Sequence, residues 1–279
     1  MDRLLLVDGH NLLFQMFFGM PERIISKDGR AIQGVVGFVG ALSRLIRMCE
    51  PTHIGVIFDS ETHNPRAECF ADYKANRPDY SEMPDGENPF TQLPLIYRAL
   101  DAVGIRYAEA NECECDDIIA SYALRYGRES EVVISSFDSD YFQLIGDKVR
   151  VIRYRGSSSV ICDRDYVFKK CGVYPELYAE HKALVGDTAD NIPGVPGIGK
   201  VKAAAVLSEC GSLERFFEQP ELLKSAKIRE KLLLARADIE RNLSLIRLSG
   251  ECALPFEIEE LRYTGRGFGT IETIREIGL

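Results

Sequence analysis

Apolar residues in the first half of the chain come in short runs separated by stretches of helical spacing. Arg3–Val7, His53–Phe58, Ile105–Glu109, Glu131–Ser136 and Val149–Tyr154 read as strands. Between them, Gly34–Cys49, Thr91–Val103 and Asp116–Tyr126 repeat apolar residues three and four apart and predict helices. Strands alternating with helices predict an α/β fold, with a mostly parallel sheet and helices on both faces. The rhythm lapses from Ser60 to Pro89, a polar stretch with four prolines. Excursions of that length in a compact domain are usually functional or disordered. Beyond Pro175 the pattern turns helical, through Tyr178–Val185, Lys200–Leu207, Leu213–Glu218 and a long run, Lys227–Leu248. The expected division is therefore a first domain over 1–174, with an excursion at about 60–90, and a helical lobe over 175–279.

Composition narrows the class. A chain of 279 residues, 46% hydrophobic and 28% charged, has ample material for a core. No apolar run is long enough to span a bilayer, and the N-terminal MDRLLLVDGHN turns acidic too soon for a secretory signal. The expectation is a cytoplasmic protein with no membrane partner. The eight cysteines are scattered, and in apolar settings such as Cys49 and Cys210 a free thiol acts as a small hydrophobe. Cys113 and Cys115 form a C-x-C, but no second pair sits at zinc-finger spacing.

Three predicted strands end in aspartate: Asp8, Asp59 and Asp138, the last followed by Asp140. Ligands of open parallel sheets bind beyond the carboxyl ends of the strands, so these acids converge on one rim. Glu114, Asp116 and Asp117 open a helix, and Asp187 and Asp190 form a further pair in GDTADN. Taken singly, each has an ordinary reading as a turn former or helix cap. Together, nine carboxylates on one rim repel and desolvate one another unless cations neutralise them. All-oxygen ligation favours Mg²⁺ or Mn²⁺ over zinc. Two such cations can clamp a phosphodiester, activating water and offsetting charge on the leaving oxygen. No serine or cysteine triad competes with that scheme.

The net charge of −9 at first argues against a polyanionic partner. Nine of the 43 acids lie in these motifs, however, and the other 34 are balanced by 34 lysines and arginines. The segment Gly194–Val201 has the G-x-x-x-x-G-K spacing of a P-loop, but Val201 replaces the hydroxyl residue and no strand precedes it. A helix–hairpin–helix over about 185–207 fits better. Gly194, Gly197 and Gly199 permit a tight turn, and a helix starting near Lys200 offers free N–H groups to a backbone phosphate. Lys200 and Lys202 in its first turn tilt the reading toward anion binding.

LLLVDGHN, VIFDS, Glu114–Asp117, SSFDSDYFQLI and GDTADNIPGVPGIGKVKA occur in the order found in the 5′-nuclease family. In particular the chain resembles, from Asp8 to about Leu248, the 5′-3′ exonuclease domain of bacterial DNA polymerase I and its stand-alone relatives. The resemblance implies a PIN-like core, a helical arch formed by the 60–90 excursion, and a helix–three-turn–helix DNA clamp. It carries the metal sites over to Asp8, Asp59, Glu114, Asp116, Asp117, Asp138, Asp140, Asp187 and Asp190. It assigns catalytic roles to Arg66 and Lys74, and DNA contacts to Tyr73, Arg77 and the hairpin. It implies two or more Mg²⁺ or Mn²⁺ ions, and K⁺ held by hairpin carbonyls. The implied substrate is DNA with 5′ flaps or free 5′ ends, RNA primers included, handled alone or beside a separate polymerase. Pro65 departs from the family, which commonly has an aromatic residue there. Two rivals remain at this point: a PIN-type ribonuclease, against which the glycine hairpin argues, and a structure-specific DNA-binding protein, against which the full acid set argues.

Overall fold

The computed structural model describes residues 2–60, 66, 70–80, 82–84, 86–265 and 267–279. Its centre is a six-stranded sheet in the order β3-β2-β1-β4-β5-β6. The strands are β1 (Arg3–Asp8), β2 (His53–Phe58), β3 (Arg106–Glu109), β4 (Glu131–Ser135), β5 (Val149–Arg153) and β6 (Val160–Cys162). All neighbours are parallel except the β5–β6 pair. Leu4–Val7 is a continuous apolar run because both faces of β1 are covered, and all four residues are buried. One face packs Val56, Phe58 and Ile54 against Phe38, Leu42 and Leu45 of the helix Gln33–Cys49. The other packs Leu6, Val132 and Ile134 against Ile118, Ile119 and Tyr122 of the helix Cys115–Tyr126.

The chain runs outward from β1 in both directions, through β2 and β3 on one side and through β4 and β5 on the other. The β1/β4 seam is therefore the switch point, where crossovers on opposite faces leave a crevice at the strand ends. Register sets what gathers there. Asp8 lies opposite Ile57, and Val7 opposite Ser135, so Asp59 and Asp138 follow a few residues further along the same rim.

A helix at Gly9–Gly19 is absent from the sequence reading. Its start is set by Asp8, whose Oδ1 accepts from the Asn11 N–H at 3.0 Å. The long run Lys227–Leu248 is two helices, Ala226–Leu234 and Arg236–Ile246, that serve different cores. Leu232 and Ile239 pack with Ala203, Leu207 and Phe216 in the helical lobe. Leu245 and Ile246 pack with Tyr73, Ala179 and Ala183 beside the sheet domain.

The last part of the expected 175–279 lobe packs on the sheet domain. The tail returns to the sheet domain: Tyr263 N–H donates to Thr52 O, Ser43 Oγ donates to Phe268 O, and the helix Thr270–Glu276 lies on the helix Gln33–Cys49. Its few apolar anchors, such as Leu261 and Ile277, are buried but follow no period, so they leave no signal along the chain. A disulfide between Cys113 and Cys252, 139 residues apart, staples this tail beside Glu114. The C-x-C spacing of Cys113 and Cys115 gives no hint of this pairing. Among the described residues, no helix is long and apolar enough to cross a membrane.

Candidate active site

Sheet register, a helix start and a hairpin bring the acids together. Asp8, Asp59, Glu114, Asp116 and Asp138 line one cleft of about 810 Å³ at the switch point, with His10, Lys74 and Arg77 on its walls. Asp140, Asp187 and Asp190 form a second group, with one oxygen of each within 4.8 Å of the others. Asp117 takes another direction. Its Oδ1 accepts from Arg66 at 2.8 Å and from the Ser249 N–H at 2.7 Å, so it ties the tail and Arg66 to the rim.

Four of the five acids that line the cleft are held by polar neighbours. Asp8 Oδ2 accepts from Ser136 Oγ at 2.9 Å and from Tyr141 OH at 3.4 Å. Asp59 Oδ1 accepts from the Cys115 N–H at 3.0 Å, which locks β2 to the start of the helix Cys115–Tyr126. Asp138 Oδ1 accepts from the Asp140 N–H at 2.9 Å. Glu114 Oε2 accepts from Arg66, from Lys74 at 2.9 Å and from Tyr73 at 3.3 Å. Glu114 Oε1 is buried and has no hydrogen-bond partner among the described residues. A buried carboxylate oxygen without a partner is costly, and a hard cation is the kind of group that would complete it. That oxygen, with the Asp140, Asp187 and Asp190 trio, shows that the residues present fit divalent cations.

The electrostatics point the same way. Burial, reinforced by the charge of Asp59, pushes the Asp8 carboxyl up to about 7. Burial also pushes Asp140 up to about 7, against the attraction of Lys182. Asp116 is driven well above the usual carboxylate range, chiefly by burial. Burial raises Asp59 too, but hydrogen bonds from His10 and Cys115 and the charge of Lys74 outweigh it, and its carboxyl lies below the usual range. Folding alone does not favour so many buried acids, since each loses hydration and repels the next.

Side-chain cations hold the cluster together. Arg66 and Lys74 pair with Glu114, Arg77 pairs with Asp190 at 2.9 Å, and Lys182 bridges Asp140 and Asp187. Three of these come from the excursion, which is described at 60, 66, 70–80, 82–84 and 86–90 and runs through turns over 71–76. It is seated on the hairpin by Lys74 N–H to Asp190 O, Asn76 to Thr188 O and Asn191 to Asp72 O. Lys74 itself has φ +57°, a left-handed conformation that a non-glycine residue adopts at a cost. Tyr73, expected to contact DNA, is buried in a small core with Ala183 and Ile246. It seats the excursion instead of presenting a surface. Pro65 lies outside the described residues.

In the hairpin the three glycines differ. A Cβ on Gly194 would lie 2.1 Å from Val185 O, and Gly197 has φ +79°. Gly199 has an ordinary extended backbone and open space around it, so neither strain nor crowding requires glycine there. It precedes the helix Lys200–Cys210, which has no side-chain cap on its first N–H groups. Lys200 is exposed there, while Lys202 folds back to donate to Gly197 O at 2.9 Å.

Sequence reasoning missed Lys182, Ser136 and Tyr141. Lys182 alone left a trace, as a lysine inside the otherwise buried helix Tyr178–Val185 just before GDTADN.

A family model for the 5′-3′ exonuclease N-terminal resolvase-like domain matches residues 3–172, and one for the 5′-3′ exonuclease C-terminal SAM fold matches 173–267. The chain belongs to the 5′-3′ exonuclease family. Among curated relatives of this family member, the thermostable DNA polymerase I of Thermus thermophilus is 34% identical over 258 residues, 92% of this chain and 30% of that protein. The DNA polymerase I of Rhizobium leguminosarum is 35% identical over 269 residues, 93% and 26%. The chain thus spans less than a third of the length of these relatives. The fold is that of the bacteriophage T5 5′-exonuclease with bound zinc, at TM-score 0.75 and 22% identity over 99% of this chain and 97% of that one. The catalytic core of Rad2 in complex with DNA substrate has TM-score 0.61 and 18% identity, covering 99% and 87%.

Proposed function

We propose that this 5′-3′ exonuclease family member hydrolyses DNA phosphodiesters at or near 5′ ends of flapped duplexes, with two divalent cations, Mg²⁺ or Mn²⁺. The observation that carries this is the convergence of eight carboxylates in two adjacent groups, with Glu114 Oε1 left without a partner among the described residues and basic side chains interleaved among them. Asp8, Asp59, Glu114, Asp116 and Asp138 would hold one cation, and Asp140, Asp187 and Asp190 the other, with Asp117 fixing the surrounding frame. When bound, these cations supply an activated attacking water and offset charge on the leaving oxygen.

The chain's own residues do the rest. Arg66 and Lys74, now paired with Glu114, are the cations that face a phosphate once divalent ions take over that carboxylate. Arg77 adds charge at Asp190, on the side toward the hairpin. The N-terminus of the helix Lys200–Cys210, with Gly197, Gly199 and Lys200, grips duplex backbone away from the chemistry. Hairpin carbonyls would take K⁺. In this reading residues 1–174, with the returning tail, are the catalytic domain, and the hairpin lobe is the DNA anchor. The protein works in the cytoplasm, in replication and repair, on DNA or RNA-primed 5′ ends and beside a polymerase.

The test is a 5′-labelled flap duplex with the purified chain. Short labelled products formed with Mg²⁺ or Mn²⁺, lost in excess EDTA and not restored by Ca²⁺, are expected. Full cleavage in EDTA would overturn the proposal.

A further inference from the structure

The two acid groups are neutralised in different ways. Cations beside the first group come from the excursion, which is seated by hydrogen bonds to the hairpin and by the buried Tyr73. The second group also meets the excursion, through Arg77 at Asp190, but in addition carries a cation from a packed helix. Lys182 lies in Tyr178–Val185, between Ala179 and Ala183, both buried against Leu245 and Ile246. Its side chain is only 10% exposed, and Nζ touches Asp140 Oδ1 and, at 2.5 Å, Asp187 Oδ2. These are two of the three carboxylates whose oxygens converge within 4.8 Å.

We propose that Lys182 is a specificity-determining residue for the second cation position, a built-in competitor that keeps divalent-ion affinity there low until a substrate phosphate arrives. This rests on the reading of these acids as divalent-cation ligands. Three carboxylates facing the Lys182 ammonium and, at Asp190, the Arg77 guanidinium leave a net charge of about −1 for an incoming divalent ion, and two of the three already spend an oxygen on Lys182. The helix backbone is fixed by packing, so the ammonium can leave only by a change of side-chain rotamer within a crowded site. A phosphate oxygen adds negative charge and a further ligand, which tips the competition toward the divalent ion. Among the described residues the first group has no such helix-borne cation: its ammonium and guanidinium partners, Lys74 and Arg66, belong to the excursion. The two positions should therefore fill in sequence, the first without DNA and the second with it.

Mn²⁺ binding to the full chain without DNA tests this, followed by electron paramagnetic resonance of free Mn²⁺ and by calorimetry. Wild type is expected to bind one ion tightly and a second weakly. Lys182→Met should leave the tight event unchanged and tighten the weak one at least tenfold, and Lys182→Gln should act in the same direction. Lys182→Arg, which keeps the charge, should stay within about threefold of wild type. Circular dichroism checks that the variants fold. In wild type itself, saturating Mn²⁺ should raise acylation of Lys182 by an amine reagent, read by mass spectrometry, so the proposal does not depend on any variant. An unchanged or weaker second event in a folded Lys182→Met protein, or Lys182 acylation that ignores Mn²⁺, would overturn it while leaving the first cation position standing. A wild-type chain that binds no Mn²⁺ at all would overturn both this inference and the cation reading beneath it.

Discussion

The sheet rim and the hairpin place charge and backbone under opposite constraints. At the rim, Asp8, Asp116 and Asp140 are buried carboxylates whose charged forms the fold disfavours, and only cations reconcile them with one another. In the hairpin the backbone turns through a left-handed Asn191 and Gly197, and one further glycine has empty space in front of it. The rim departs from what stability asks in its electrostatics, the hairpin in its sterics. Each departure marks what the region meets: hard cations in one case, a closely approaching phosphate backbone in the other.

The largest effect that would sharpen this contrast is at the rim. Asp116→Ala should lower the single-turnover cleavage rate by at least about 100-fold, since it removes a group that holds charge in place for the reaction. Binding of a duplex flap should hold or tighten, because a negative charge facing phosphate has gone. A variant with wild-type turnover would put Asp116 outside the chemistry.

Lys74→Ala tests whether the excursion belongs functionally to the rim. A cation that offsets charge developing in the reaction is worth about 100-fold in rate, with much less effect on binding. The single-turnover rate at saturating enzyme reads this directly. A loss confined to the dissociation constant would make Lys74 a docking charge instead.

Within the hairpin, Gly194 and Gly199 should separate stability from binding. Gly194→Ala forces a methyl into Val185 O and should cost about 1–3 kcal/mol in urea denaturation. Gly199→Val should leave the denaturation midpoint nearly unmoved. It should weaken duplex-flap binding about fivefold, roughly the 1 kcal/mol of one lost backbone hydrogen bond. If the two variants behave alike, the hairpin is an ordinary turn and the contrast with the rim fails.

The smallest effect belongs to Lys200. Replacing it with alanine should reduce the slope of log binding constant against log salt by about 1, the release of one counterion. Lys202→Ala should do less, since its ammonium is already engaged by Gly197 O. Equal slopes for wild type and Lys200→Ala would place Lys200 away from the DNA.

What the chain determines by itself is whatever repeats locally or lies next to a strand end. The apolar runs set five of the six sheet strands to within a residue or so, and the aspartates that follow three of them must share a rim once those strands are parallel. The short edge strand Val160–Cys162 and the helices at Gly9–Gly19 and Arg164–Cys171 are too brief or too weakly periodic to stand out. Only the tertiary structure decided which cation faces which acid. Lys182 meets Asp140 across 42 residues, Arg66 meets Glu114 across 48, and Cys113 meets Cys252 across 139. It also turned Asp117 toward Ser249, buried Tyr73 and returned the tail to the sheet. None of these carries a local period, because each pairing depends on which segments the topology lays side by side. In a cluster of buried charge, small differences in that placement decide which group pairs with a side chain and which is left for a metal ion.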